Sequence, residues 1–130
     1  MSVTSQGKKI LIISGSEALI LFLRRGLSRY NREFDIATNG LSALSLFDAS
    51  VHNQAVVDWM FDDISGVDLS CQLHDLLPAA YLTLLMPAFH DEDEKRQCLA
   101  WAARSTANHS VFKPIRADQI LTLLRPYTWR

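Results

Sequence analysis

The sequence predicts one α/β domain, a doubly wound parallel sheet of five strands with helices on both faces. The chain has five short strand-like runs, and the first of them, residues 10–13, lacks the polar alternation of half-exposed strands, as expected for a strand that is covered on both faces. The segments between these runs carry apolar residues at helical spacing, and the connecting loops are short. Strands that alternate with helices in this way form a parallel sheet.

The first two strand–helix pairs lie in the N-terminal part of the chain. Residues 10–13 are a β-branched strand, and the apolar residues from 16 to about 30 recur at three- and four-residue intervals, which predicts a helix. The second strand, 34–37, ends at an Asn-Gly turn signal. A short helix from 41 to about 49 follows, with Leu44 and Phe47 facing inward.

Two further pairs follow. The third strand, 55–58, runs into a polar loop, and the next helix, 67–77, is closed by a proline. The fourth strand covers 81–86. A charged segment at 91–95 then opens a fourth helix, which carries Leu99 and Trp101.

A fifth strand at 111–112 and a last helix near 117–124 complete the predicted domain. We place the domain at 8–126, after an N-terminal extension of residues 1–7 and before a C-terminal tail of residues 127–130.

The composition excludes several classes of protein. A net charge of −1 argues against a nucleic-acid groove, which needs clustered Lys and Arg. The early apolar stretch is far too short to span a membrane, and nothing resembles a secretory signal. Cys71 and Cys98 lack metal-ligand spacing, so we expect buried thiols in a reducing cytoplasm.

Enzymatic chemistry has no sequence support. No serine or cysteine lies in a nucleophile-elbow pattern. The histidines share no spacing and are expected on the surface or in loops: His52, His74, His90 and His109. Asp62 and Asp63 are either substitute metal ligands or, as we favour, a solvated acidic loop.

Polar residues follow three of the predicted strands. Ser14-Gly15 follow the first strand, Asp58 ends the third, and Lys113-Pro114 follow the fifth. Because ligands and chemistry gather at the carboxyl ends of such strands, these residues are expected to meet in one crevice.

This arrangement resembles the receiver domain of bacterial response regulators over nearly the whole chain. The similar segments are KKILIISGSEALILFLRRGL, ATNGLSALSLF, AVVDWMFDDISGVDL and VFKPI. The resemblance implies the flavodoxin-like receiver topology, with the phosphoacceptor aspartate on Asp58, Gly66 at its usual offset, and the phosphate-contacting lysine on Lys113. It also implies transfer of a phosphoryl group from a histidine kinase or phosphotransfer protein, a magnesium ion, and commonly a cis bond before the proline.

The chain departs from the family pattern at three switch positions. The acidic pair that holds magnesium falls on Ser14 and Gly15, which carry no carboxylate. The Ser or Thr of the fourth strand falls on Met86, which is followed by Pro87, and the aromatic relay falls on Ser110.

These departures change the expected chemistry of the site. With Asp58 as its one protein carboxylate, magnesium binding is expected to be weak or absent, and no other cofactor is expected. Asp58 and Lys113 are then expected to form a direct ion pair without metal, and phosphorylation of Asp58 to be slower by orders of magnitude.

Three functional interpretations remain. The first is an atypical receiver that acts mainly as a phosphorylation-independent interaction module. Its partner is a signalling protein (a histidine kinase, phosphotransfer protein or output domain) or a second copy of the chain, without nucleic acid or membrane. The second is a weakly active phosphoacceptor on Asp58. The third is a small flavin- or nucleotide-binding protein that uses the Ser14-Gly15-Ser16 turn.

The first helix offers a candidate docking surface. Five consecutive apolar residues, 19–23, are too many for one helix face to bury. Either one or two of them are exposed over a thick core, or they form a patch for a partner.

Overall fold

A computed structural model describes residues 8–119, in which five strands alternate with four α-helices. In chain order the elements are β1 Lys9–Ile13, α1 Glu17–Arg29, β2 Phe34–Ala37, α2 Gly40–Leu46, β3 His52–Val57, α3 Gly66–Leu76, β4 Tyr81–Met86, α4 Glu92–Ala102 and β5 His109–Phe112. The predicted fold class is confirmed. The predicted last helix is described only as a 3-10 turn at Ala117–Gln119, and its remainder lies outside the described residues, as do the two predicted terminal segments.

The strands form one parallel sheet in the order β2-β1-β3-β4-β5. The chain runs outward from β1 to β2 and then returns across β1 to β3. The direction of winding therefore reverses between β1 and β3, which is where open α/β sheets place their binding crevice.

Both faces of the sheet are covered, as the continuous apolar strands predicted. Leu11 and Ile13 of β1 belong to a cluster that also holds the buried apolar side chains of α2 and α3. Ile10 and Ile12 point the other way, into a cluster with Leu23 and Leu27 of α1. These four side chains are fully buried, so β1 is the central support of the crevice.

Each α-helix begins at a capping side chain. Ser16, Asn39, Ser65 and Asp91 each accept a hydrogen bond from the backbone amide three residues further on. Such caps satisfy amides that the helix itself leaves unpaired. Ser16 is thus the cap of α1, which leaves Ser14 for another role.

Helix α4 is attached less firmly than the others, since none of its residues is buried. Cys98 and Ala102 are half-buried against the core. Trp101 of α4 packs edge-on against Trp59, with ring centroids 4.5 Å apart.

The apolar run on α1 is mostly used for packing. Leu23 is fully buried, and Leu19 and Phe22 pack against the same cluster. Leu21 is 45% exposed. A thick core with an exposed leucine accounts for this pattern.

Two expectations about individual residues were wrong. Cys71 and Cys98 are half-buried thiols, not buried ones. His52 is buried, because β3 begins three residues earlier than predicted. Its Nε2 lies 2.8 Å from Asp35 Oδ2, and its Nδ1 accepts from the Asp48 amide, so both ring nitrogens are satisfied.

Within residues 8–119, no helix is long and apolar enough to cross a membrane.

Candidate functional site

Three strand ends converge at the crevice and fix the positions of Ser14, Asp58 and Lys113. Each residue lies one position beyond its strand, and each backbone amide still bonds to the neighbouring strand. The amide of Ser14 donates to Ala37 O at 3.0 Å, that of Asp58 to Ile13 O at 2.9 Å, and that of Lys113 to Met86 O at 2.9 Å. The sheet therefore holds these residues rigidly, and we call them the Asp58 pocket.

The carboxylate of Asp58 is enclosed by donors from its own chain. Lys113 Nζ lies 2.6 Å from Oδ1, which also accepts from the Trp59 amide at 2.7 Å. Ser14 Oγ donates to Oδ2 at 2.7 Å. Asp58 is only 4% exposed, so these bonds form in a site shielded from water, where charge-assisted hydrogen bonds are strong.

Ser14 has a role that sequence reasoning missed. Its hydroxyl donates to Asp58 and at the same time accepts from the Ser16 amide at 3.0 Å. The sequence showed only that a carboxylate was lost at this position. A small hydroxyl residue two positions before a helix cap, at a strand end that faces the end of the aspartate's strand, was the available signal.

Gly66 allows the loop after Asp58 to close on the pocket. A Cβ there would collide with the backbone carbonyl of Asp58 and would lie 2.7 Å from that of Trp59. The Gly66 amide donates to the same Trp59 carbonyl at 2.7 Å. Only glycine permits this approach.

The other two predicted switch positions lie on β4 and β5. Met86 ends β4 and is fully buried in the same cluster as Leu82 and Leu84. Pro87 is the first residue beyond that strand and, like Met86, has no hydroxyl. Ser110 is half-buried in β5 and pairs with Leu84.

Among the three residues of the Asp58 pocket, only Asp58 carries a carboxylate, the side-chain group that magnesium prefers as a ligand. Magnesium sites in proteins use one or two carboxylates with several waters. Here the carboxylate is already bonded to an ammonium group and a hydroxyl, and neither Ser14 nor Gly15 adds a negative charge. Among the residues that the structure describes, no group of three or more His, Cys, Asp or Glu side chains could hold a metal ion.

Asp63 is exposed, as the solvated acidic loop predicted, and it is also a structural residue. Its carboxylate oxygens accept from the amides of Gly40, at 3.1 Å, and Leu41, at 2.9 Å, at the start of α2. The hydrogen bonds from Gly40 and then Leu41 hold the pKa of Asp63 below its ordinary value. Asp62 is exposed beside it.

The bond between Lys113 and Pro114 is cis, as the resemblance to receiver domains implied.

The sequence matches no protein-family model and no curated protein. Solved structures, in contrast, match along nearly the whole chain. A response regulator from Burkholderia pseudomallei, with a phosphorylated aspartic acid, a calcium ion and citrate, is 28% identical at a TM-score of 0.74, covering 91% of this chain and 66% of that one.

The receiver domain of NtrX from Brucella abortus is 16% identical, with a TM-score of 0.77, covering 92% of this chain and 98% of that one. An adenylate cyclase from Rhodopirellula baltica is also 16% identical, with a TM-score of 0.76, covering 94% and 87%. Other matches are response regulator receiver domains, one of them described as CheY-like. The fold of this chain is therefore the receiver fold of two-component signalling proteins.

Proposed function

We propose that this chain is an atypical receiver domain that acts mainly as a protein-interaction module and does not depend on phosphorylation. The observation that carries the proposal is the enclosed carboxylate of Asp58, bonded to Ser14, Trp59 and Lys113. The partner is a cytoplasmic signalling protein, either a histidine kinase, a phosphotransfer protein or an output domain. No catalytic role or resident cofactor is part of the proposal.

The enclosed carboxylate is a poor phosphoacceptor. To attack a phosphoryl group, Asp58 must use an oxygen that already accepts a hydrogen bond from Ser14 or from Lys113, which lowers its nucleophilicity; a hydrogen bond to a charged group contributes roughly 1.5–3 kcal/mol. The negative charge that develops on the phosphoryl group would then be stabilised by Lys113 alone, because the pocket has no second carboxylate to bind a metal cation. Metal-assisted charge stabilisation contributes several kcal/mol, and each ~1.4 kcal/mol changes the rate tenfold.

A weakly active phosphoacceptor is the second candidate. Strand β4 separates the strands that end at Asp58 and Lys113, yet Lys113 Nζ still lies 2.6 Å from Asp58 Oδ1. The similar Burkholderia structure contains a phosphorylated aspartic acid. A partner kinase that opens the bond between Ser14 and Asp58 would restore a nucleophile.

The flavin or nucleotide interpretation has less support. Backbone amides at a helix start bind phosphate when they are free. The Ser16 amide is already bonded to Ser14 Oγ, and the charge of Asp58 lies behind the same turn.

Intrinsic fluorescence of the full chain tests the proposal, because Trp59 directly follows Asp58. We expect no saturable response to millimolar magnesium, and none to beryllofluoride, which mimics an aspartyl phosphate. A saturable response to both would reject phosphorylation independence in favour of the second candidate. A purified protein that is yellow would favour the third.

A matched variant shows that the assay can detect a working site. Ser14→Asp combined with Gly15→Asp restores two carboxylates beside Asp58. A Cβ at residue 15 has Thr38 O as its nearest neighbour, at 3.6 Å, so the backbone there accepts a side chain. This double variant should respond to magnesium, and circular dichroism would confirm that it is folded. Gly15→Asp alone is the milder variant if the double substitution unfolds the protein.

A further inference from the structure

A groove of about 590 Å³ opens beside the Asp58 pocket, at the same edge of the sheet. It lies between the loop after β1, the start of α2 and the loop after β3, and we call it the Leu41 groove. Its lining includes Gly15, Leu41, Met60, Asp62 and Asp63. The volume is within the range of roughly 300–1,000 Å³ that is common for ligand sites.

The walls of the groove present exposed apolar side chains. Leu41 is 73% exposed, and Met60 is 48% exposed. Leu41 is held in this position, because its amide is bonded to Asp63 in the first turn of α2. Exposed apolar surface that is fixed in place and bordered by polar residues is typical of interaction sites.

The polar border of the groove is negatively charged. Asp62 and Asp63 both line it, and the amides of Gly40 and Leu41 keep Asp63 ionised by lowering its pKa. Glu17 is exposed two residues after Gly15. None of the described lining residues is Lys, Arg or His. An occupant therefore needs apolar groups flanked by positive charge.

We propose that the Leu41 groove docks a segment of a partner protein in which aliphatic side chains are flanked by Lys or Arg. This inference rests on the proposed function, and it adds the location of the interface and the chemistry of the partner. The negative border disfavours an anionic lipid surface, which repels carboxylates.

A short amphipathic peptide of leucine and lysine is the probe, followed by amide chemical shifts of the full chain. We expect saturable shifts that cluster at Leu41, Met60 and Asp62. Leu41→Ser with Met60→Ser should weaken binding at least about tenfold, the affinity change that corresponds to ~1.4 kcal/mol.

Matched controls distinguish peptide binding at the Leu41 groove from non-specific binding to exposed apolar side chains. Leu76→Ser and Leu99→Ser replace leucines that are 51% and 45% exposed elsewhere, and they should leave binding unchanged. A leucine–glutamate peptide should not bind. The inference is overturned if the leucine–lysine peptide does not bind or if its chemical-shift changes spread over the whole surface. It is also overturned if the Leu41→Ser, Met60→Ser variant binds the peptide as well as the natural chain does.

Failure of the groove proposal can be distinguished from failure of the proposed function. The peptide titration does not use Asp58, so Asp58→Asn should bind the peptide as the natural chain does. If the peptide fails while magnesium and beryllofluoride leave Trp59 unchanged, the groove is rejected and phosphorylation independence stands. If beryllofluoride gives a saturable response while the peptide binds at the groove, the groove stands and phosphorylation independence is rejected.

Discussion

The Asp58 pocket and the Leu41 groove lie at the same edge of one sheet, yet their surfaces differ in nearly every respect. In the pocket a 4% exposed carboxylate is bonded to a hydroxyl, an amide and an ammonium group of the same chain. The groove exposes Leu41 and Met60 beneath a border of carboxylates. The comparison shows that polar groups at the centre of a strand-end crevice can be satisfied within the chain while side chains at its border remain exposed to solvent.

Replacing the glycine of each region should give the largest difference in unfolding free energy between the pocket and the groove. Gly66→Ala forces a methyl group into the backbone of Asp58 and Trp59, and such overpacking should cost about 3 kcal/mol of unfolding free energy. Gly15→Ala places its methyl 3.6 Å from Thr38 O, so it should leave stability nearly unchanged. Urea denaturation of both variants measures the difference. Equal losses of unfolding free energy in the two variants would contradict the close packing of Gly66 against the backbone of the Asp58 pocket.

The ion pair gives a smaller contrast. Lys113→Met leaves the Asp58 carboxylate buried with hydrogen bonds but no counter-charge. Because the Lys113 side chain is 31% exposed, we expect a loss of about 2 kcal/mol, below the cost of breaking a fully buried pair. Adding Asp58→Asn removes the uncompensated charge and should recover most of that stability. If the losses of unfolding free energy from the two single variants simply add in the double variant, a direct interaction between Asp58 and Lys113 is contradicted.

On the groove side, Leu41→Ser should leave the unfolding free energy unchanged.

The smallest effect is a pH dependence on the border of the groove. The amides of Gly40 and Leu41 hold the pKa of Asp63 below its ordinary 3.8 in the folded protein. The ionised carboxylate therefore stabilises the folded state above pH 3.8, and this contribution is lost as the pH falls through the lower, folded-state pKa. The stability difference between the natural chain and Asp63→Asn should be constant from neutral pH to about pH 4 and shrink below it. A difference that grows on acidification would reject the capping role, and Asp62→Asn is the control.

Much of the fold could be predicted because burial on both faces leaves a local mark in the sequence. Strands β2 and β4 begin and end where their apolar runs do. The start of β3 was missed because His52, Asn53 and Gln54 are polar, and partners from distant segments allow His52 to be buried. Local composition cannot show such long-range pairing.

The site was predicted only in part, for a similar reason. The convergence of Asp58 and Lys113 follows from strand order, since parallel strands bring their carboxyl ends to one edge. The bond from Ser14 to Asp58 depends on a side-chain direction and on Ser16 taking the role of helix cap. The capping role of Asp63 depends on the position of α2, which is distant in sequence.

Helix α4 has a consequence for how the folded protein fluctuates. Segments that bury few side chains open at a fraction of the free energy of global unfolding. No residue of α4 is buried, and its Trp101 is 39% exposed where it meets Trp59. We therefore expect forms of the folded protein in which α4 is detached while the sheet is intact, and amides of α4 that exchange with solvent before those of β1.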